Sequence, residues 1–115
     1  LTHSVDEASL VLMLDSHNNK VLFTGDLGFY GESLLLARGY DLTADILKVG
    51  HHGSKNSSSI NFIKAVNPKI SVIGVGQNRY GHPTESVLKI LELAGSVIYT
   101  TQQDGTIKII LDKSL

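Results

Sequence analysis

A chain of 115 residues, 42% apolar and 18% charged, makes one domain at most, with a core of modest size. A net charge of −1 excludes a global basic field for nucleic acid, and zero cysteines exclude a disulfide scaffold and a thiolate-bound zinc site. No apolar run approaches the ~18 residues of a membrane span, and nothing in the sequence reads as a signal peptide; zero cysteines fit a cytosolic or an exported protein alike, so the compartment stays open.

In chain order, Ser9 to Leu14 is a continuous apolar run, the pattern of a strand covered on both faces. Asp15 to Lys20 is rich in turn formers and joins it to Val21-Leu22-Phe23 as an antiparallel hairpin. Tyr30 to Arg38 carries good helix formers and stops at Gly39. Ala44 to Val49 is a short apolar strand ending at Gly50, flanked by Asp41 and Asp45 as caps or turn residues. Ser57 to Ser59 offers N-caps for a helix that presents Ile60, Ile63 and Val66 and ends at Pro68. Ile70 to Val75 is a further strand, followed by a polar loop to His82. Pro83 suits the first turn of a helix with a stripe of Val87, Ile90, Leu91 and Ala94, closed by Gly95. Val97 to Thr101 and Thr106 to Leu111 flank Asp104-Gly105, a hairpin signal. The order ββαβαβαββ alternates through its middle, which predicts α/β layering in one domain without repeats or linkers. The chain opens on Leu1, without an initiator Met, and reaches its first strand almost at once, which reads as a segment of a longer protein.

Two motifs stand where strands emerge from the sheet. Thr24-Gly25-Asp26 closes one apolar run and His51-His52-Gly53-Ser54 closes the next. A hard carboxylate oxygen and imidazole nitrogens together suit Zn or Mn, and ligand crevices in α/β sheets open beyond strand carboxyl ends. Adjacent histidines point different ways, so one can bind metal while the other faces substrate. Ser54, with Ser57 to Ser59, surrounds a helix N-terminus that favours an anion such as phosphate. His82, in Asn78-Arg79-Tyr80-Gly81-His82-Pro83, is open to three roles: ligand, general acid or substrate contact. Asn78 and Tyr80 are candidate substrate contacts, Tyr80 and Arg79 being suited to a base or a phosphate. His3, His17, Glu32 and Lys48 read as structural: an unplaced N-terminal residue, a surface turn, a helix face and strand packing.

The strings VLFTGDLG, ADILKVGHHGSKNSSS and VNPKISVIGVGQNRYGHP, in this order, resemble the metallo-β-lactamase superfamily. More narrowly, they resemble the C-terminal hydrolase domain of ComEC-type DNA-internalisation competence proteins. The resemblance implies part, the C-terminal half, of an αββα sandwich with one or two divalent metals, Zn or Mn, at one edge of the sheets. Asp26 would match the metal-bridging Asp, and His51 or His52 the later His ligand, with His52 and His82 as candidates for catalytic roles. The implied reaction is hydrolysis of a phosphodiester, in the competence setting of DNA, by a metal-activated water.

Related domains cleave small phosphoesters or lactones, and a truncated non-catalytic module is a further reading. The superfamily's first ligand cluster, of the H-x-H-x-D-H type, and the half-sandwich that carries it are absent from this sequence. That predicts a missing N-terminal half as partner, no activity by this chain alone, and apolar strand faces left uncovered. A competence-type parent implies a membrane-embedded channel domain as a further partner and a membrane-associated location.

Overall fold

The computed structural model describes residues 10–75 and 81–111, and of His51 and His52 the backbone alone. His3, Asn78, Arg79 and Tyr80 lie outside the described residues. Among the described residues, five strands form one sheet in sequential order, β1 (Leu12–Ser16), β2 (Asn19–Phe23), β3 (Ile46–Lys48), β4 (Ile70–Ile73) and β5 (Val97–Thr100). Helices α1 (Phe29–Ala37), α2 (Ile60–Val66) and α3 (Glu85–Leu93) fill the three crossovers between β2 and β5, and α4 (Thr101–Asp104) is a single turn after β5. The predicted α/β class therefore stands.

The hairpin between β1 and β2 forms as expected. His17 and Asn18 have φ of 53° and 65°, the two left-handed residues of a two-residue hairpin turn, and Ser16 pairs with Asn19. The strands from β2 to β5 are parallel and each is the spatial neighbour of the next. Right-handed crossovers, the rule for parallel neighbours, would put α1, α2 and α3 on one face of the sheet, and side chains of all three pack in the same core cluster. That face holds the core: Leu22, Leu47 and Ile73 from the strands meet Phe62, Ile63 and Val66 of α2 and Val87 and Leu91 of α3. Asp45 closes the opposite end of the sheet, its Oδ2 accepting from the Lys20 N–H at 2.9 Å, and Asp41 caps its own turn by accepting from the Thr43 N–H.

The other face carries two cross-strand rows, Leu12–Phe23–Lys48–Val72–Tyr99 and Leu14–Val21–Ile46–Ile70–Val97. Lys48 is the one charged member of these rows. A groove of about 310 Å³ on this face is lined by Leu14, Val21, Phe23, Ile46, Lys48 and Val72, with Ile107, Ile109 and Leu111 from the C-terminal segment. Leu12, Phe23, Val97 and Tyr99 are exposed, as the sequence led us to expect of uncovered strand faces.

Three local expectations are corrected. The run ending in Leu14 is not covered on both faces: among the described residues β1 is an edge strand, and Leu12, Met13 and Leu14 are exposed. The Asp104-Gly105 hairpin does not form, because Asp104 folds back to accept from the Thr100 N–H at 2.9 Å while the Thr100 hydroxyl caps Gln103. These contacts close α4 as a capped turn. Residues 106–111 keep the alternation read as a strand, but they line the open face rather than pairing with β5. Pro83 precedes the N-cap of α3, a role taken by Thr84.

Candidate functional site

Both predicted motifs emerge at the carboxyl edge of the parallel sheet, on neighbouring strands. β2 is followed by Thr24-Gly25-Asp26, a turn closed by Leu27 N–H donating to the Thr24 carbonyl at 3.0 Å. β3 is followed by a 3₁₀ turn over Gly50–Gly53, which carries the two histidines between two glycines. The turns are tied at their roots: the Thr24 hydroxyl donates to the Lys48 carbonyl at 3.0 Å. Thr24 is 2% exposed, so its side of this part-buried bond is shielded from competing water.

Gly50 is needed for the close approach. A Cβ there would come to 3.0 Å of the Thr24 hydroxyl and 3.2 Å of the carbonyls of Gly25 and Leu27. At the far end of the turn Gly53 adopts φ +78°, and a Cβ there would come to 2.6 Å of the Pro83 Cβ. The Gly53 carbonyl accepts from both the N–H and the hydroxyl of Thr84, at 3.0 and 3.2 Å. His51 and His52 are thus carried on a turn gripped on one side by the Asp26 loop and on the other by the residues that follow His82. Asp26 itself is exposed and His82 half-buried.

The family model of the metallo-β-lactamase superfamily matches residues 2–77. This chain belongs to the metallo-β-lactamase superfamily. ComE operon protein 3 of Bacillus subtilis is 40% identical over 106 residues, covering 91% of this chain and 14% of that protein. Competence protein ComA of Neisseria gonorrhoeae is 37% identical over 102 residues, 87% of this chain and 15% of its own length. Recombination protein 2 of Haemophilus influenzae is 33% identical over 110 residues, 95% of this chain and 14% of its own. The chain therefore spans about one-seventh of the length of the curated relatives it matches, and the narrower resemblance drawn from the motifs is borne out.

Metallo-β-lactamase superfamily members bind divalent metals, and the donor chemistry of this edge is suited to one. Asp26 brings a hard oxygen to the rim, and the gripped turn carries residues His51 and His52 in its backbone at the adjoining strand end. The set fits part of a metal shell, since it holds one carboxylate and at most three histidines when His82 is included. Among the described residues no group of three or more His, Cys, Asp or Glu is assembled to hold an ion.

At the α2 N-terminus, where an anion site was expected, the chain places a carboxylate of its own. The N–H groups of Ser58 and Ser59 donate to the Glu32 carboxylate, so the protein supplies its own anion there. The Ser54 hydroxyl is likewise turned inward: Ser54 is 6% exposed, and its Oγ accepts from the Asn56 N–H at 3.2 Å. Sequence reasoning read Glu32 as one face of a helix and missed this clamp; its partners lie far along the chain, and no local pattern announces them. Thr84 was also missed, although a Thr just after Pro83 at a helix start is a capping signal.

Thr84 therefore has two jobs, capping α3 through the Val87 N–H and holding Gly53. Thr84→Ala should cost about 1 kcal/mol of stability, the usual loss for a deleted cap. Thr84→Ser, which keeps the hydroxyl, should stay within about 0.5 kcal/mol of the parent. Urea midpoints of the two variants provide the check.

Proposed function

We propose that this chain supplies one side of a metal-dependent phosphodiesterase site, with Asp26 and one of His51 and His52 as ligands to Zn or Mn. The observation that carries the reading is the packing of the Gly50–Gly53 turn against the Thr24–Asp26 turn at the sheet's carboxyl edge. When bound, a divalent ion would supply a nucleophile at neutral pH and neutralise charge on phosphoryl oxygens. Asp26 would bind and orient it, the second imidazole of the pair would face the substrate, and His82 would give or take a proton at the rim. DNA is the substrate we favour, because the words competence and recombination stand in the names of two relatives. The wider protein would then act in DNA uptake, with a membrane-embedded channel as its neighbour. No helix among the described residues is long and apolar enough to cross a membrane itself.

The same reading includes a second layer on the open sheet face, contributed by a preceding part of the parent protein and carrying the remaining ligands. Two nearly unbroken apolar rows, with large side chains exposed, support it. A small phosphoester or lactone as substrate is favoured by one feature, the net charge of −1, which offers no basic surface for a long polyanion.

The test is titration of the intact protein with Zn and Mn by calorimetry, followed by assays on a labelled single-stranded oligonucleotide, an aryl phosphodiester and a lactone. Asp26→Ala should weaken metal binding by more than the ~10–100-fold typical of residues that only support a ligand, and should abolish cleavage. Metal binding unchanged in Asp26→Ala would sink the ligand assignment. Cleavage of the lactone alone would move the substrate away from phosphodiesters.

A further inference from the structure

Glu32 stands on α1, in the segment that follows the Asp26 turn, and it is 2% exposed. Its carboxylate reaches off the helix to the loop beyond the histidines. Oε1 accepts from the Ser59 N–H at 2.8 Å, and Oε2 accepts from the Ser58 N–H. Burying a carboxylate is costly unless hydrogen bonds replace its water, and amide donors to an ionised acceptor are among the stronger ones.

The loop that these bonds hold would not choose its shape unaided. Ser58 has φ +61°, in the left-handed region where a side chain costs ~1–2 kcal/mol per residue. A parallel bond, Phe29 N–H to the Asn56 carbonyl at 2.9 Å, links the start of the same helix to the same loop. The next residue completes the connection: the Ser57 hydroxyl donates to the Gly50 carbonyl at 3.2 Å, at the root of the histidine turn. Direct contacts thus run from Glu32 through Ser58 and Ser57 to Gly50.

We propose that Glu32 is a positioning residue, whose carboxylate locks the Ser54–Ser59 loop and so holds the His51–His52 turn against the Asp26 turn. The inference deepens the metal reading given under Proposed function and rests on it for its effect on affinity. In Glu32→Gln the side chain keeps its length, but its NH₂ would face one of the two loop N–H groups, donor against donor.

The experiment uses the intact protein as Glu32→Gln beside a control, Leu42→Ala. Leu42 is 6% exposed and precedes β3, at the opposite end of the strands from the site. Amide hydrogen exchange at Ser58, Ser59 and His51 to Gly53 is one readout, and Zn affinity is the other. Glu32→Gln should speed exchange in both segments at least tenfold and weaken Zn binding by ~10–100-fold, while Leu42→Ala leaves both near the parent values. Unchanged exchange at His51 to Gly53 in Glu32→Gln would overturn the proposal. So would a loss of Zn affinity that follows stability equally in the two variants. A parent protein that binds neither Zn nor Mn would instead defeat the metal reading, and the exchange measurement alone would then decide the role of Glu32.

Discussion

Gly53→Ala is expected to destabilise the protein by about 2–5 kcal/mol and to displace the histidine turn. Two effects add. A left-handed backbone costs a residue with a Cβ roughly 1–2 kcal/mol, and Gly53 holds φ +78°. The new methyl would also lie 2.6 Å from the Pro83 Cβ and 2.9 Å from its Cα. Backbone on that side cannot move freely, because Thr84 is bonded to the Gly53 carbonyl and caps α3. Overpacking of this kind typically adds about 1–3 kcal/mol. Gly95 separates the two effects: it has φ +80°, and among the described residues nothing lies within 4 Å of the place a methyl would take there. Gly95→Ala should therefore show the backbone cost alone, about 1–2 kcal/mol. Denaturant midpoints for the two variants measure the difference; equal losses would mean that Pro83 yields and does not fix the turn.

The second large effect concerns the open face. Leu14 lines the groove at 47% exposure, in the row Leu14–Val21–Ile46–Ile70–Val97. Were that face solvated, Leu14→Glu would cost little, within about 0.5 kcal/mol, as for most surface substitutions. Under the second layer proposed above, the same change buries an unpaired carboxylate among apolar side chains. That should cost several kcal/mol, on the order of 3 or more, or drive the two layers apart. Thermal unfolding of the intact protein, parent against Leu14→Glu, reads the difference. A Tm within a degree or two of the parent would reject a covering layer over this row.

Much of this fold is written in local signals. The β1–β2 hairpin rests on a polar stretch whose two central residues accept left-handed angles. The α2 helix begins at a serine that caps it, as expected of that cluster, and Ser59 accepts from the Phe62 N–H at 3.2 Å. Gly39 and Gly95, at φ +73° and +80°, follow the ends of α1 and α3 as expected of helix stops. The alternation of short apolar strands with helical stretches was enough for an α/β class, because the two periodicities need no knowledge of the partner surface.

Where local signals compete, proximity in space decided. Asp104-Gly105 is a hairpin signal on its own, yet the capping bonds of Thr100 and the Thr101 hydroxyl, which both accepts from and donates to the Val75 backbone, turn the chain into α4. Apolar content in Leu10 to Leu14 cannot say whether a strand is central or at an edge; the pairing order puts β1 at the edge.

The candidate site divides in the same way. Asp26, His51, His52 and His82 stand out in the sequence as candidates, because metal-type side chains at strand ends form a chemical pattern that residue order preserves. Glu32, Thr84 and the inward turn of Ser54 do not. Glu32 and Thr84 are defined by partners distant in sequence, Ser58 and Ser59 for Glu32 and Gly53 for Thr84, whereas Ser54 accepts from Asn56 only two residues on and is turned inward by the buried loop around it. By itself the sequence marked the residues proposed here as metal ligands and where along the chain the strands release them. Only the tertiary structure decided which backbone is held rigid beneath those groups, because a hydrogen bond between residues far apart in the chain leaves no periodic trace in either segment.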